Sequence, residues 1–85
     1  MNLRQLEYFK QIAEVQSMTR AANLLHMTQP NLTRQIQQLE KELGVLLFTR
    51  SDKGVALTPA GFELLERADA LLGQVRRIGE DISKY

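Results

Sequence analysis

The 85-residue chain contains no cysteine. That excludes a disulfide framework, a thiolate metal site and a cysteine nucleophile. It has one histidine, His26, so no His-rich metal cluster can form and Ser-His-Asp chemistry is a poor fit. Tryptophan is absent and aromatic residues make up only 6%. No apolar run approaches the ~18 residues of a membrane span. Met1-Asn2-Leu3-Arg4 does not lead into the apolar core of a signal peptide. A cytoplasmic protein with no membrane partner is expected. Glycine and proline are sparse, at 5 and 2 residues, which favours helices over low-complexity structure. What the chain has is 44% hydrophobic and 25% charged residues, enough to fold around one core.

The formal net charge is only +1, which neither requires nor forbids a polyanionic partner. The placement of charge is more informative. No Asp or Glu occurs between Glu14 and Glu40. That stretch holds Arg20, His26 and Arg34 among many amides and hydroxyls, including Gln16, Ser17, Thr19, Asn23, Thr28, Gln29, Asn31 and Thr33. Hydrogen-bonding groups free of carboxylates suit a surface that meets phosphate, since a carboxylate there would repel it.

Leu3, Leu6, Phe9, Ile12 and Ala13 share one helical face, and Asn2 with Gln5 forms a capping-box start, predicting a helix over 3–16. A short helix over 18–26 follows, with Ala21-Ala22 allowing close helix approach, and His26-Met27 forms a turn. Thr28 is the N-cap of a third helix over 29–43, with Pro30 in its first turn and Gly44 ending it. Its apolar stripe is narrow: Leu32, Ile36, Leu39 and Leu43. Arg34 lies nearly opposite that stripe, flanked by Pro30, Gln37, Gln38 and Lys41. Val45–Arg50 and Val55–Thr58 then read as two short strands around a Ser51–Gly54 turn, with Lys53 at the tip. Thr58-Pro59 opens a last helix predicted to run to Tyr85. Along it Gly61, Leu64, Ala68, Leu71, Val75, Ile78, Ile82 and Tyr85 alternate spacings of 3 and 4, and Leu65 and Leu72 widen the face.

Two helices joined by a tight turn are what a helix-turn-helix needs. In that device the second of the pair enters the DNA major groove, and the residues at its start meet base edges. Gln29 has the chemistry for adenine, Arg34 for guanine, and Thr33 for a thymine methyl or a phosphate. The amides near Thr28 offer a phosphate site, and the hairpin with Arg50 and Lys53 would serve as a wing. The last helix is too long to be covered by the residues before it, and a partner chain is the simplest cover.

The chain resembles the N-terminal DNA-binding domain of LysR-type transcriptional regulators. The resemblance is carried by Leu3-Arg4-Gln5-Leu6-Glu7-Tyr8-Phe9, Ser17-Met18-Thr19-Arg20-Ala21-Ala22 and the run Leu25 to Ile36. Leu39-Glu40-Lys41-Glu42-Leu43-Gly44, Leu47-Phe48-Thr49-Arg50 and Leu57-Thr58-Pro59-Ala60-Gly61 complete it. It implies a mainly α fold: a winged helix-turn-helix over 1–58, with a three-helix core and a small β-hairpin wing, then a linker helix over 59–85. It implies a dimer through antiparallel linker helices, bound to an interrupted inverted repeat in double-stranded DNA. Base contacts map onto Gln29, Pro30, Thr33 and Arg34. Backbone contacts map onto Arg20, Thr28, Thr49, Arg50 and Lys53, with Asn31 placed beside them. The dimer face is expected to use Leu64, Leu65, Ala68, Leu71, Leu72, Val75, Ile78 and Ile82. Family members sense a small-molecule inducer through a C-terminal domain of periplasmic-binding-protein type, which these residues do not contain. This chain is therefore expected to act as a DNA-binding fragment with no inducer site, no cofactor and no metal, nucleoid-associated when bound. Thr28 and Thr33 depart from a common serine, Asn31 from a small apolar residue or proline, and Met18 from a frequent aromatic.

Other readings stay open at this level. The chain could be a helical interaction module, or belong to another winged-helix family. An enzyme is disfavoured: Glu63 and Glu66 are a turn apart, but no histidine, cysteine or glycine-rich loop accompanies them. Ion pairs of Arg50 with an acid such as Glu40, or of Arg20 with a first-helix carboxylate, are a further alternative for those arginines, though such exposed pairs contribute only ~0–1 kcal/mol.

Overall fold

The computed structural model describes residues 1–85. Four helices and one hairpin follow in order: α1 (Leu3–Val15), α2 (Met18–Leu24), α3 (Gln29–Leu43), β1 (Phe48–Ser51), β2 (Gly54–Leu57) and α4 (Pro59–Ile82). The first turn of α1 is held by the capping box. Asn2 Oδ1 accepts from Gln5 N at 2.8 Å, and Gln5 Oε1 accepts from Asn2 N at 3.2 Å. The helix stops one residue earlier than its periodicity suggests, because Gln16 turns left-handed (φ 56°) and its N–H closes on Ile12 O. Likewise α2 ends at Leu24, and the predicted two further residues become the turn into α3, with His26 left-handed at φ 57°.

The core is built where three helices converge. Phe9 and Ile12 of α1, Ala21 and Ala22 of α2, and Leu32, Ile36 and Leu39 of α3 are buried together. Phe48 from β1 brings its ring to 5.1 Å from that of Phe9. Val55 of β2 joins the same cluster. An isolated two-stranded hairpin is marginal in water; here Phe48 and Val55 anchor it, and Val55 N–H donates to Gln16 O at 3.3 Å. The register pairs Phe48 with Leu57 and Ser51 with Gly54, so only Asp52 and Lys53 form the tip.

The strand expected from Val45 begins three residues late, at Phe48. Gly44 (φ 74°) caps α3, and Val45 and Leu46 are exposed. The backbone groups that a strand would have paired go elsewhere. Glu40 Oε2 accepts from Leu47 N at 2.7 Å and from Phe48 N at 3.4 Å. Thr58 Oγ1 donates to Leu46 O at 2.6 Å, and Thr58 N donates to Leu47 O at 3.0 Å. Leu47 itself is fully buried.

α4 starts as expected: Thr58 Oγ1 accepts from Gly61 N at 3.0 Å, and Pro59 opens the first turn. It ends at Ile82, not Tyr85, and its 24 residues extend about 36 Å. Its first half packs on α1, with Ala68 buried and Lys10 Nζ 3.2 Å from Asp69 Oδ1. Past Gly73 every residue of α4 is exposed. The molecule is accordingly elongated, 49 × 26 × 20 Å.

Because Glu40 satisfies two amides at the entry to β1, Glu40→Ala is expected to destabilise the fold by ~1–3 kcal/mol, the usual cost of orphaning part-buried donors. Glu40→Gln, which keeps one acceptor oxygen, should cost less. Urea denaturation of the two variants checks the order.

Candidate nucleic-acid interface

α3 is seated by Leu32, Ile36 and Leu39, all buried. At ~100° per residue this leaves Arg34, Pro30, Gln37 and Lys41 on the outward face and Gln29 and Thr33 on one shoulder. The observed exposure follows that geometry. Arg34 and Pro30 are exposed, whereas Gln29, Thr33 and Asn31 are half-buried. Gln29 Nε2 donates to Thr33 Oγ1 at 2.9 Å, a bond between residues one turn apart that apolar periodicity does not reveal. The i,i+4 spacing of an amide and a hydroxyl was the available signal.

The start of α3 is capped by Thr28, whose Oγ1 accepts from Asn31 N at 3.3 Å. Leu32 N–H is taken by Thr28 O. Pro30 has no N–H, so Gln29 alone in this first turn retains a free helical amide. The anion-binding capacity expected near Thr28 is therefore narrower than a full helix start provides.

Arg20 lies in the first turn of α2. Its backbone N–H donates to the cap Ser17 Oγ at 3.2 Å, while its guanidinium extends into solvent. The wing adjoins that start, because Val55, the register partner of Arg50, bonds to Gln16 O immediately before Ser17. The structure thus places the strand of Arg50 beside the beginning of α2. Thr49, Arg50 and Lys53 are exposed, and Thr49 Oγ1 donates weakly to Ala56 O at 3.5 Å. Asp52 shares the exposed tip with Lys53.

The ion pairs are distributed unevenly. Lys10, Arg67, Arg76 and Lys84 have carboxylate partners, all on α1, on α4 or just beyond it, and the terminal ammonium of Met1 contacts Glu42. Arg20, Arg34, Arg50 and Lys53 have none, and neither do Arg4, Lys41 and Arg77. The alternative partners considered for two of them are engaged otherwise or absent: Glu40 faces the Leu47 and Phe48 amides, and no α1 carboxylate reaches Arg20. His26 is exposed in the turn, and no group of three His, Cys, Asp or Glu side chains gathers as a metal site needs. Glu63 pairs with Arg67 at 3.4 Å on an open helix surface. No helix is long and apolar enough to cross a membrane.

The expected face of α4 divides in two. Ala68 is buried inside the chain, and Leu64 and Leu65 pack against the core. Leu72 is half-buried, whereas Leu71, Val75, Ile78 and Ile82 are exposed.

The family model described as bacterial regulatory helix-turn-helix protein, lysR family, matches residues 3–62. The chain belongs to the LysR family. Among curated proteins, the HTH-type transcriptional regulator TcbR of Pseudomonas sp. (strain P51) is 48% identical over 80 residues, covering 94% of this chain and 27% of TcbR. The hydrogen peroxide-inducible genes activator of Pectobacterium carotovorum subsp. carotovorum is 43% identical over 84 residues, covering 99% and 28%. The LysR-family chain also superimposes on solved structures. A CbnR_DBD–DNA complex gives a TM-score of 0.92 at 45% identity, with 99% of this chain and 97% of that one covered. A BenM_DBD/catB site 1 DNA complex gives 0.95 at 42% identity, with 99% and 94% covered. The winged helix-turn-helix with its long last helix is thus the LysR arrangement. The chain spans about a quarter of the length of the curated regulators it matches.

The seating of the wing on the α1–α2 turn leaves no room for a side chain at Gly54. Its φ is +113°, and an added Cβ would lie 2.5 Å from Gln16 O. Gly54→Ala is expected to loosen the hairpin without dissolving the helical core. Hydrogen exchange at the Val55 amide should accelerate at least tenfold, while the amides of α3 keep their protection.

Proposed function

We propose that this LysR-family chain reads double-stranded DNA as a dimer at an interrupted inverted repeat and so serves a transcriptional regulator in the cytoplasm. The observation that carries this reading is the set of unpaired cations beside a stretch free of carboxylates. Arg20, Arg34, Arg50 and Lys53 stand on the helix-turn-helix and wing without carboxylate partners, and residues 15–39 contain no acid. An arrangement that keeps its charge uncompensated suits a polyanion. Two regulators similar to the chain, CbnR and BenM, have DNA-binding domains solved on DNA, which supports the same conclusion.

In this reading residues 1–58 recognise DNA and residues 59–85 pair the subunits. α3 lies in the major groove, which is wide enough for a helix. Arg34 and Gln29, with Thr33 and Pro30, meet base edges. Arg20, Thr28, Asn31, Thr49, Arg50 and Lys53 set the register on the backbone. The exposed side of α4, from Leu71 through Val75 and Ile78 to Ile82, meets a second copy. Joining two half-site readers raises the effective concentration of the second once the first is bound. An inducer would act through a further domain of the longer regulators.

Selection of random duplexes by the purified chain, read by sequencing at two salt concentrations, tests the reading directly. An enriched interrupted palindrome with affinity falling steeply in salt is expected. No enrichment and no salt dependence would instead identify a helical interaction module. On the selected site Arg34→Ala should cost ~1–3 kcal/mol and relax preference at one position. Lys53→Ala should weaken all duplexes alike and reduce the salt slope by about 1.

Ile78 is 60% exposed, so Ile78→Asp should leave the single chain folded. It should nonetheless abolish the dimer, because a carboxylate would be desolvated at the pairing face. Sedimentation equilibrium reports the outcome; a dimer that survives would remove α4 from the interface.

A further inference from the structure

We propose that Thr33 is a positioning residue for Gln29, and that the pair selects an adenine. The inference rests on the DNA reading of α3. Gln29 Nε2 donates to Thr33 Oγ1 at 2.9 Å, and neither side chain has another hydrogen-bond partner. Both are half-buried on the shoulder of α3, and the helix holds their β carbons one turn apart. Pro30, next to Gln29, fixes the local backbone further.

A carboxamide carries two N–H donors and one acceptor oxygen. With one N–H held by Thr33, its plane no longer rotates freely. What remains is one N–H beside Oε1, a donor next to an acceptor. The major-groove edge of adenine offers the complement, acceptor N7 beside the N6 amino donor. Guanine presents two acceptors, N7 and O6, and Oε1 would face O6 with no proton between them. The hydroxyl of Thr33 thus contributes to recognition through Gln29, in addition to any contact of its own with a thymine methyl or phosphate. The β-branch of Thr33 restricts χ1, which helps hold the acceptor oxygen in place.

The test uses the duplex selected by the wild-type chain, with every half-site position varied in turn. Binding is measured for wild type, Gln29→Ala, Thr33→Val, Thr33→Ser and the double variant Gln29→Ala with Thr33→Val. Wild type should favour adenine at one position on the order of tenfold, as a bidentate contact does. Gln29→Ala should erase that preference. Thr33→Val keeps the side-chain shape without the hydroxyl and should lose most of it. Thr33→Ser should retain it, and the double variant should match Gln29→Ala. Replacing that adenine with 7-deazaadenine, which lacks N7, should weaken wild type and leave Gln29→Ala unaffected, a readout that does not depend on how well Thr33→Val folds. Affinity for random duplex should be the same for all five proteins. Retention of adenine preference by Thr33→Val, a preference for guanine, or no position that responds to Gln29→Ala overturns the inference while duplex binding stands. Failure of the wild-type chain to select any duplex overturns the DNA reading itself.

Discussion

Removal of Leu32, Ile36 and Leu39 from water sets the orientation of α3, and the outward chemistry of that helix follows from it. Burial of such side chains is worth about 1.5–3 kcal/mol each, far more than any surface contact on the same helix. The stripe is narrow, so the helix has one rotational setting against α1 and α2. In that setting Arg34 faces solvent, Gln29 and Thr33 occupy a shoulder, and Glu40 turns toward the start of the wing. One hydrophobic constraint therefore disposes a reading face and a structural joint on the same fifteen-residue helix.

The joint links three elements that the chain visits in succession. The carboxylate of Glu40 on α3 accepts from two amides of the approach to β1, and Thr58 at the head of α4 donates to the carbonyls of Leu46 and Leu47. Gly61 completes the fit, since an added Cβ would run into the Leu47 carbonyl. The segment between Gly44 and Phe48 is thereby fixed without belonging to any sheet. The same contacts tie the direction of α4 to that of α3, so in the proposed dimer a few hydrogen bonds around Leu47 would set the spacing between the two copies of α3.

Most of this arrangement was legible in the sequence, and the exceptions have physical causes. Helix positions follow from periodicity and caps: Asn2, Thr28 and Thr58 each precede a helix and each cap it, and the structure adds Ser17 as the cap of α2. The outward placement of Arg34 followed from the spacing of three aliphatic side chains. The run Val45–Leu47 reads as a strand because it is a short, continuous apolar stretch, and only tertiary partners distant in sequence reveal that the backbone bonds go to Glu40 and Thr58. The ends of α1 and α2 were overrun for a related reason, since Gln16 and His26 adopt left-handed conformations that neither residue type advertises. The use of Glu40 is not legible from charge alone: a carboxylate accepts from donors of any kind, and here two backbone amides are nearer than an arginine.

The hydrogen bond between Gln29 and Thr33 divides the recognition surface by when its side chains lose freedom. Gln29 surrenders its rotamers as the chain folds, before any ligand is present. Arg34, Arg20, Arg50 and Lys53 have no partners to hold them and keep theirs, roughly 2 kcal/mol of entropy for each long cation. First encounters with a polyanion would therefore be made by mobile charges that accept many geometries, and ordering them would oppose tight binding everywhere along a duplex. On the proposed reading of Gln29, only where the base edge matches the fixed carboxamide would a contact form with little further loss of freedom. Discrimination would then arise less from added strength at the right sequence than from a lower entropic penalty there.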